Sequence, residues 1–230
     1  MPRPDASRGR TGRPPVTSRA EILAAARRVI ERDGWEKLTV RRLAAEIGIG
    51  TTTLYHHVRD KEDLLVQLLN EHVEQTVHPD TSGEPRERIV AAATAIHDSL
   101  ATWPWAAEIL TVDGFLGRLG GPALQVVETI VDAAVECGCT PVQAVGLFRS
   151  IWYYTVGEIL VRAHSTHGPA GGEQAARRET FFSGLEPDRL PRLSAVGGRW
   201  PELAARDTYA EGLEAFVDGL LAQAVASTRH

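Results

Sequence analysis

Sulfur and lysine are both scarce in this 230-residue chain, which has two cysteines, one methionine, and two lysines against 23 arginines. With Cys137 and Cys139 as the only thiols, no disulfide framework can staple the fold, and a reducing compartment is expected. Long apolar runs are also missing, and none approaches the ~18 residues needed to span a membrane. The first 17 residues place Arg3, Arg8, Arg10 and Arg13 among Pro2, Pro4, Pro14 and Pro15, without the apolar stretch of a signal peptide. A cytoplasmic location is the expectation. Catalytic signatures are equally thin. There is no Gly-x-Ser-x-Gly, no Walker loop and no His-Glu-x-x-His, and Gly48-Ile49-Gly50 has no strand before it, as a dinucleotide loop requires. Histidines and carboxylates are scattered without catalytic or metal-ligand spacing, so the expectation is no enzyme, no metal site and no cofactor.

What the chain does have is a split in charge. Residues 1–61 hold 13 Lys+Arg and 7 Asp+Glu, a balance of +6, whereas the remainder holds 12 and 23, a balance of −11. A basic amino-terminal quarter on an acidic remainder suits a nucleic-acid reader whose other domain has different work.

Local patterns sharpen this. Ser18 with Glu21 forms a capping box for a first helix, whose stripe is Ile22, Ala25, Ala26, Val29 and Ile30 and whose end is Asp33-Gly34. Thr39 caps a short helix that carries Val40, Leu43, Ala44 and Ile47 on one face, and Gly48 supplies a sharp turn. A second, very short helix then covers Thr51-Thr52-Thr53-Leu54-Tyr55-His56-His57. It is too short to hold itself together, so Leu54 and Val58 must anchor it. Its outer side is left with three hydroxyls, a phenol and an imidazole, groups suited to base edges and phosphates. Asp60 caps the next helix, which runs through Leu64, Leu65, Leu68, Leu69 and Val73 to about Val77. The spacing is that of a helix-turn-helix.

Before it, residues 1–17 read as disordered, either a solvated tail or an arginine arm reaching a minor groove through Arg10 and Arg13. After it, the loop at 79–85 is the natural domain boundary. Helices are expected at 85–102, 105–112, 122–136, 141–165, 173–183 and 207–226, with loops at 114–122 and 184–206. No segment alternates as a strand does, so the fold class is all-α: a head at 18–78 and a larger helical body at 85–230. Two body helices have broad stripes: Val145, Phe148, Trp152, Val156, Ile159, Leu160 and Ala163, and Leu213, Phe216, Val217, Leu220, Leu221 and Ala224. Periodicity alone leaves open whether these are core or a dimer surface.

Residues 18–70 resemble the DNA-binding domain of the TetR family of bacterial transcriptional regulators. The matching pieces are Ile22-Leu23-Ala25-Ala26, Gly34, Leu38-Thr39-Val40-Arg41-Arg42-Leu43-Ala44, Gly48-Ile49, Leu54-Tyr55-His56-His57-Val58 and Lys61-Glu62-Asp63-Leu64-Leu65. A pattern of roughly fifty positions at matched spacing is far more specific than a bare helix-turn-helix. The carboxy-terminal Pro187-Asp188-Arg189-Leu190-Pro191, Tyr209-Ala210-Glu211-Gly212-Leu213 and Asp218-Gly219-Leu220 resemble the tetracycline-repressor-like branch. What this implies is a homodimer closed by a four-helix interface, a palindromic double-stranded operator, and repression relieved by a small-molecule effector.

By the same resemblance, Thr51, Thr52, Thr53, Tyr55 and His56 face the major groove or its phosphates, with Thr39, Arg41 and Lys61 on the backbone. Arg42 is expected either on phosphate or paired with Glu46, and His57 packed toward the core. The family's body holds an effector between helices. Candidates here are His97, Trp103, Trp105, Asp113, Phe115, Gln125, Trp152, Tyr153 and Glu158, each with ordinary packing as its other explanation. Thr76 stands where the tetracycline repressor carries an inducer-contacting histidine, with His72 and His78 nearby, so tetracycline is not the expected effector; a predominantly apolar or aromatic one is. Two further readings stay open. Cys137-Gly138-Cys139 is either helix-end packing or a redox sensor, and the whole chain is alternatively a helical protein-interaction module without sequence-specific DNA binding.

Overall fold

The computed structural model describes residues 18–78, 82–112, 114–167 and 184–227. The arm with Arg10 and Arg13, the helix expected at 173–183, and Asp113 lie outside them. All regular structure among the described residues is helical. Two compact units divide between Leu68 and Leu69, inside one continuous helix.

The first unit begins with α1 (Arg19–Asp33). Its capping box is complete: the Glu21 N–H donates to Ser18 Oγ at 3.2 Å, and the Ser18 N–H donates to the Glu21 carboxylate at 2.8 Å. These bonds, the backbone one first, hold the Glu21 carboxyl below its ordinary range. Next come α2 (Val40–Ile47), capped by Thr39, then α3 (Thr51–Tyr55), then the start of α4 (Lys61–Thr76). Gly48 ends α2 at φ 78°, ψ 30°, a left-handed conformation that a side chain resists. Helix α3 is shorter than the sequence implies, because the chain turns at His56 and His57. Ile22, Leu38, Leu43, Leu54, Leu64 and Leu68 are fully buried and form the unit's core.

The second unit holds the rest of α4 with α5 (Pro85–Ala101), α6 (Pro104–Ile109), α7 (Gly121–Glu136), α8 (Pro141–His167), α9 (Pro191–Val196), α10 (Trp200–Ala204) and α11 (Tyr209–Ser227). Pro85, Pro104, Pro122, Pro141, Pro191 and Pro201 all sit at helix starts, where the missing N–H costs nothing and the fixed φ favours the first turn. Helix α5 packs against α7, α8 and α11. Ala92, Ala93, Ala133 and Ala134 are buried, and small residues let helix axes approach closely. At Gly212 the approach is closer still: an added Cβ would run into the Tyr154 hydroxyl.

Two expectations need correcting. The stretch 184–206, expected as loop, contains α9 and α10, both short and mostly exposed, so neither shows a wide apolar stripe. Helix α6 ends at Ile109, not residue 112. The two broad stripes, whose role the sequence left open, divide: Phe148, Trp152, Val156, Ile159, Leu213 and Val217 are core of the protomer itself, while Leu160, Ala163, Phe216, Leu220, Leu221 and Ala224 are half-buried. The exposed apolar residues of α8 are Val142, Val145, Tyr153 and Val161, of which Val145 belongs to the expected stripe.

Candidate functional site

Helix α3 is a small platform clamped from below. Leu54 and Val58 are 0% and 2% exposed, so the remaining side chains are displayed outward. Thr52, Thr53, Tyr55 and His56 are exposed and Thr51 is half-buried. His57 is exposed as well, contrary to the packed position expected for it: the helix ends before it, so helical spacing no longer directs its ring inward. Its carbonyl is held instead, by the Gln67 side-chain amide at 3.3 Å. Gln67 also donates to Asp63 at 3.1 Å and accepts from Arg19 Nε at 2.9 Å. Asp60 caps α4 by accepting from the Asp63 N–H at 2.7 Å, and Asp63 accepts from the Arg59 N–H at 2.9 Å. Sequence reasoning missed Gln67 and Arg19. The i,i+4 spacing of Asp63 and Gln67 was the available signal.

The charged residues around the platform are mostly tied down. Arg42 pairs with Asp33 at 2.6 Å and not with Glu46, which is taken by Arg32 at 3.0 Å. The hydrogen bonds to Glu46 and Asp33 push the Arg32 guanidinium well above its ordinary range, and the bond from Arg32 holds Glu46 low. Lys61 Nζ donates to the Glu36 carbonyl at 3.0 Å and lies 4.9 Å from the Trp35 ring centroid. Thr39 and Arg41 are exposed at the start of α2, where the Thr39 hydroxyl accepts the Arg42 N–H at 3.1 Å.

The second unit contains an apolar cavity. It holds about 470 Å³ of empty space, mouth included, of which the centre of a water molecule reaches ≈ 50 Å³. Val73 of α4, Leu100 of α5, Val126 of α7 and Phe148 and Trp152 of α8 line it, with Phe115 stacked on Trp152 at 4.9 Å. Ser99 supplies the one hydroxyl in the wall. That hydroxyl faces the Thr76 hydroxyl at 3.3 Å, while the Ser99 carbonyl takes bonds from Thr102 at 2.8 Å and His72 at 3.2 Å.

The remaining effector candidates are spread around the unit. Trp105 is buried, and Trp103 stacks between it and His72, with centroids at 5.3 and 4.2 Å. Gln125 is exposed on α7 and Tyr153 on α8. His97 and Glu158 pair at 2.9 Å, apart from the apolar cavity. Glu158 continues to Arg162, and Arg162 to Asp207 at 3.3 Å. The His97 ring stacks on Tyr209 at 3.8 Å, and the Tyr209 hydroxyl meets Thr155 at 2.8 Å. Burial pushes the Tyr209 phenol well above its ordinary range. This chain of contacts pins α5, α8 and the start of α11 together. Cys137 and Cys139 are both raised from the ordinary thiol value, by burial first, the opposite of what a reactive thiolate needs.

Comparison with known proteins follows the same two-part division. Residues 22–68 match bacterial regulatory proteins of the tetR family, and residues 78–224 match the tetracyclin repressor-like C-terminal domain. The HTH-type transcriptional repressor DrrR1 of Streptomyces coeruleorubidus is 28% identical over 225 residues, covering 91% of this chain and 79% of that protein. The class A tetracycline repressor of transposon 1721 from Escherichia coli is 27% identical over 202 residues, covering 86% and 88%. Among solved structures, the Streptomyces coelicolor TetR family protein ActR in complex with actinorhodin superposes with a TM-score of 0.72 at 21% identity, covering 90% of this chain and 98% of that one. With a helix-turn-helix head, an all-helical body and matches across nearly the whole described length, the chain belongs to the tetR family of bacterial regulatory proteins.

Proposed function

We propose that this chain is a ligand-responsive, sequence-specific DNA-binding repressor, acting as a cytoplasmic homodimer on a palindromic operator and catalysing no reaction. The observation that carries the reading is the display of α3: buried Leu54 and Val58 hold Thr52, Thr53, Tyr55 and His56 out to solvent. We assign residues 18–78 to DNA binding and 85–230 to effector binding and dimerisation, with 1–17 as a basic arm. Thr51, Thr52, Thr53 and His56 meet base edges. Tyr55, Thr39, Arg41 and Lys61 bind the backbone, positioning the head without carrying sequence.

The effector reading rests on the apolar cavity. With one hydroxyl in its wall it suits a neutral, mainly apolar or aromatic molecule, because an unpaired charge placed there would lose its hydration without compensation. Phe115 and Trp152 are the sequence candidates that line it. Leu69, Val73 and Val77 bring α4 and the residue after it into the wall, so a bound molecule acts on the helix that leads out of the head. Release requires that it prefer one arrangement of that helix over another. DrrR1 is named a repressor, and ActR is seen with actinorhodin bound; both favour repression relieved by a small molecule.

The test is selection of genomic fragments with the purified chain, followed by binding titrations across salt for wild type and Tyr55→Ala. A recovered palindrome is expected, with affinity falling steeply as salt rises. Tyr55→Ala should weaken it about tenfold, the scale of one lost bond to a charged phosphate. A folded dimer that enriches no sequence at low salt would favour a protein-interaction module and end this reading.

A further inference from the structure

Between Glu46 and Arg59 the chain contains no Arg, Lys, Asn, Gln, Asp or Glu. Those are the side chains that bond a base edge at two points or accept from cytosine, and the strongest base discrimination comes from them. Of the charged groups flanking this stretch, Glu46 is engaged by Arg32 at 3.0 Å and Arg42 by Asp33 at 2.6 Å, while the Arg59 guanidinium, 3.5 Å from Asp63, and exposed Arg41 both lie outside α3. What α3 offers instead is Thr52 and Thr53, both exposed, followed by exposed Tyr55 and His56. Each threonine carries a hydroxyl that bonds at one point and a methyl fixed on Cβ, stiff in a helix because the side chain is branched there. A single hydroxyl serves as donor or acceptor and tells bases apart poorly. The methyl has one specific partner in the major groove, the C5-methyl of thymine.

We infer that α3 reads its operator chiefly through thymine C5-methyl groups, packed against the methyls of Thr52 and Thr53, and not through bidentate bonds to guanine or adenine. The inference rests on the DNA-binding function proposed above and specifies what that surface reads. Each half-site must then present thymines to α3, and their methyls, not their hydrogen-bonding edges, set the preference.

The probe is the palindromic duplex recovered by selection, with each thymine of a half-site replaced in turn by deoxyuridine, which removes the methyl and leaves every hydrogen-bonding group in place. Binding should weaken about fourfold for each contacted methyl, the scale of one buried carbon. Replacement outside the contacted positions should change nothing. Thr52→Ser and Thr53→Ser keep the hydroxyl and lose the methyl, so the matching deoxyuridine should then cost little more: the two losses are one contact and must not add. Thr52→Val and Thr53→Val should retain the thymine preference. All four substitutions fall at the two solvent-facing positions, and circular dichroism checks that the helices persist. A tightly bound operator indifferent to deoxyuridine at every thymine, or one whose half-sites lack thymine at the positions α3 reaches, overturns the inference and leaves the repressor intact. No recovered operator overturns both.

Discussion

Asp63 is one residue with work on both sides. Its carboxylate accepts from the Arg59 N–H and from Gln67, and Gln67 in turn holds the His57 carbonyl where α3 ends. Burial pushes the carboxyl up, but the Arg59 N–H, the Gln67 amide and the Arg59 charge outweigh it, and the net position is below the ordinary aspartate value. A carboxyl depressed on folding adds stability above its unfolded pKa, roughly 3.9, and that stability drains away as pH falls through the folded value. Asp63→Asn should therefore loosen α3 and the first turns of α4 at pH 7 by roughly 1–2 kcal/mol, the scale of a lost charge-assisted bond. The difference from wild type should shrink toward zero at a pH well below about 3.9, where both side chains are uncharged. Hydrogen exchange at the α3 and α4 amides resolves this region from the body. An equal deficit at both pH values would mean the carboxylate's charge is irrelevant.

Among elements, those whose rules are local were legible in the sequence. Ser18-Glu21, Thr39, Gly48 and Asp60 each mark a helix end through bonds to their immediate neighbours, and all four act as read. The body helices expected from 85, 122 and 141 begin within a residue of those positions, but the prolines that open α9 and α10 stood in a stretch expected as loop. What failed depends on residues distant in sequence. Arg42 chose Asp33 over Glu46 because Arg32 was already there, and no helical spacing reveals that competition. The cavity is the extreme case, since its wall takes residues from α4, α5, α7 and α8, each of them an ordinary core position in its own helix. Its apolar character has a consequence that can be measured. Indole should raise the midpoint of thermal unfolding in a concentration-dependent way, as any ligand of the folded state does. Indole-3-carboxylate should not, because the wall holds no cation for its charge. Ala123→Phe, which places a ring into the same space, should abolish the indole shift while the operator is still bound. Equal stabilisation by both compounds, surviving in the variant, would locate binding elsewhere.

For the molecule as a whole the question is what covers α8. Val142, Val145 and Tyr153 are 83%, 58% and 63% exposed and recur along one side of that helix. On α11, Ala215, Gly219, Ala222 and Ala226 form an exposed face of small residues that lets another helix come close. A second copy meeting both faces would hide them and set two heads about 34–36 Å apart, one turn of DNA, or a multiple of it. The acidic remainder of each copy, −11 outside residues 1–61, would be repelled by phosphate, so only the basic heads approach the duplex. Val142→Asp with Val145→Asp should yield a monomer in light scattering while helix content is kept, because both positions are exposed in the single chain. A monomer reaches one half-site and neutralises half as many phosphates. Its log–log dependence of affinity on salt should thus have about half the wild-type slope, besides much weaker binding. A dimer that survives both charges would move the interface off this face. A monomer with the full slope would mean that one head alone makes all the phosphate contacts, and the palindrome would lose its physical reason.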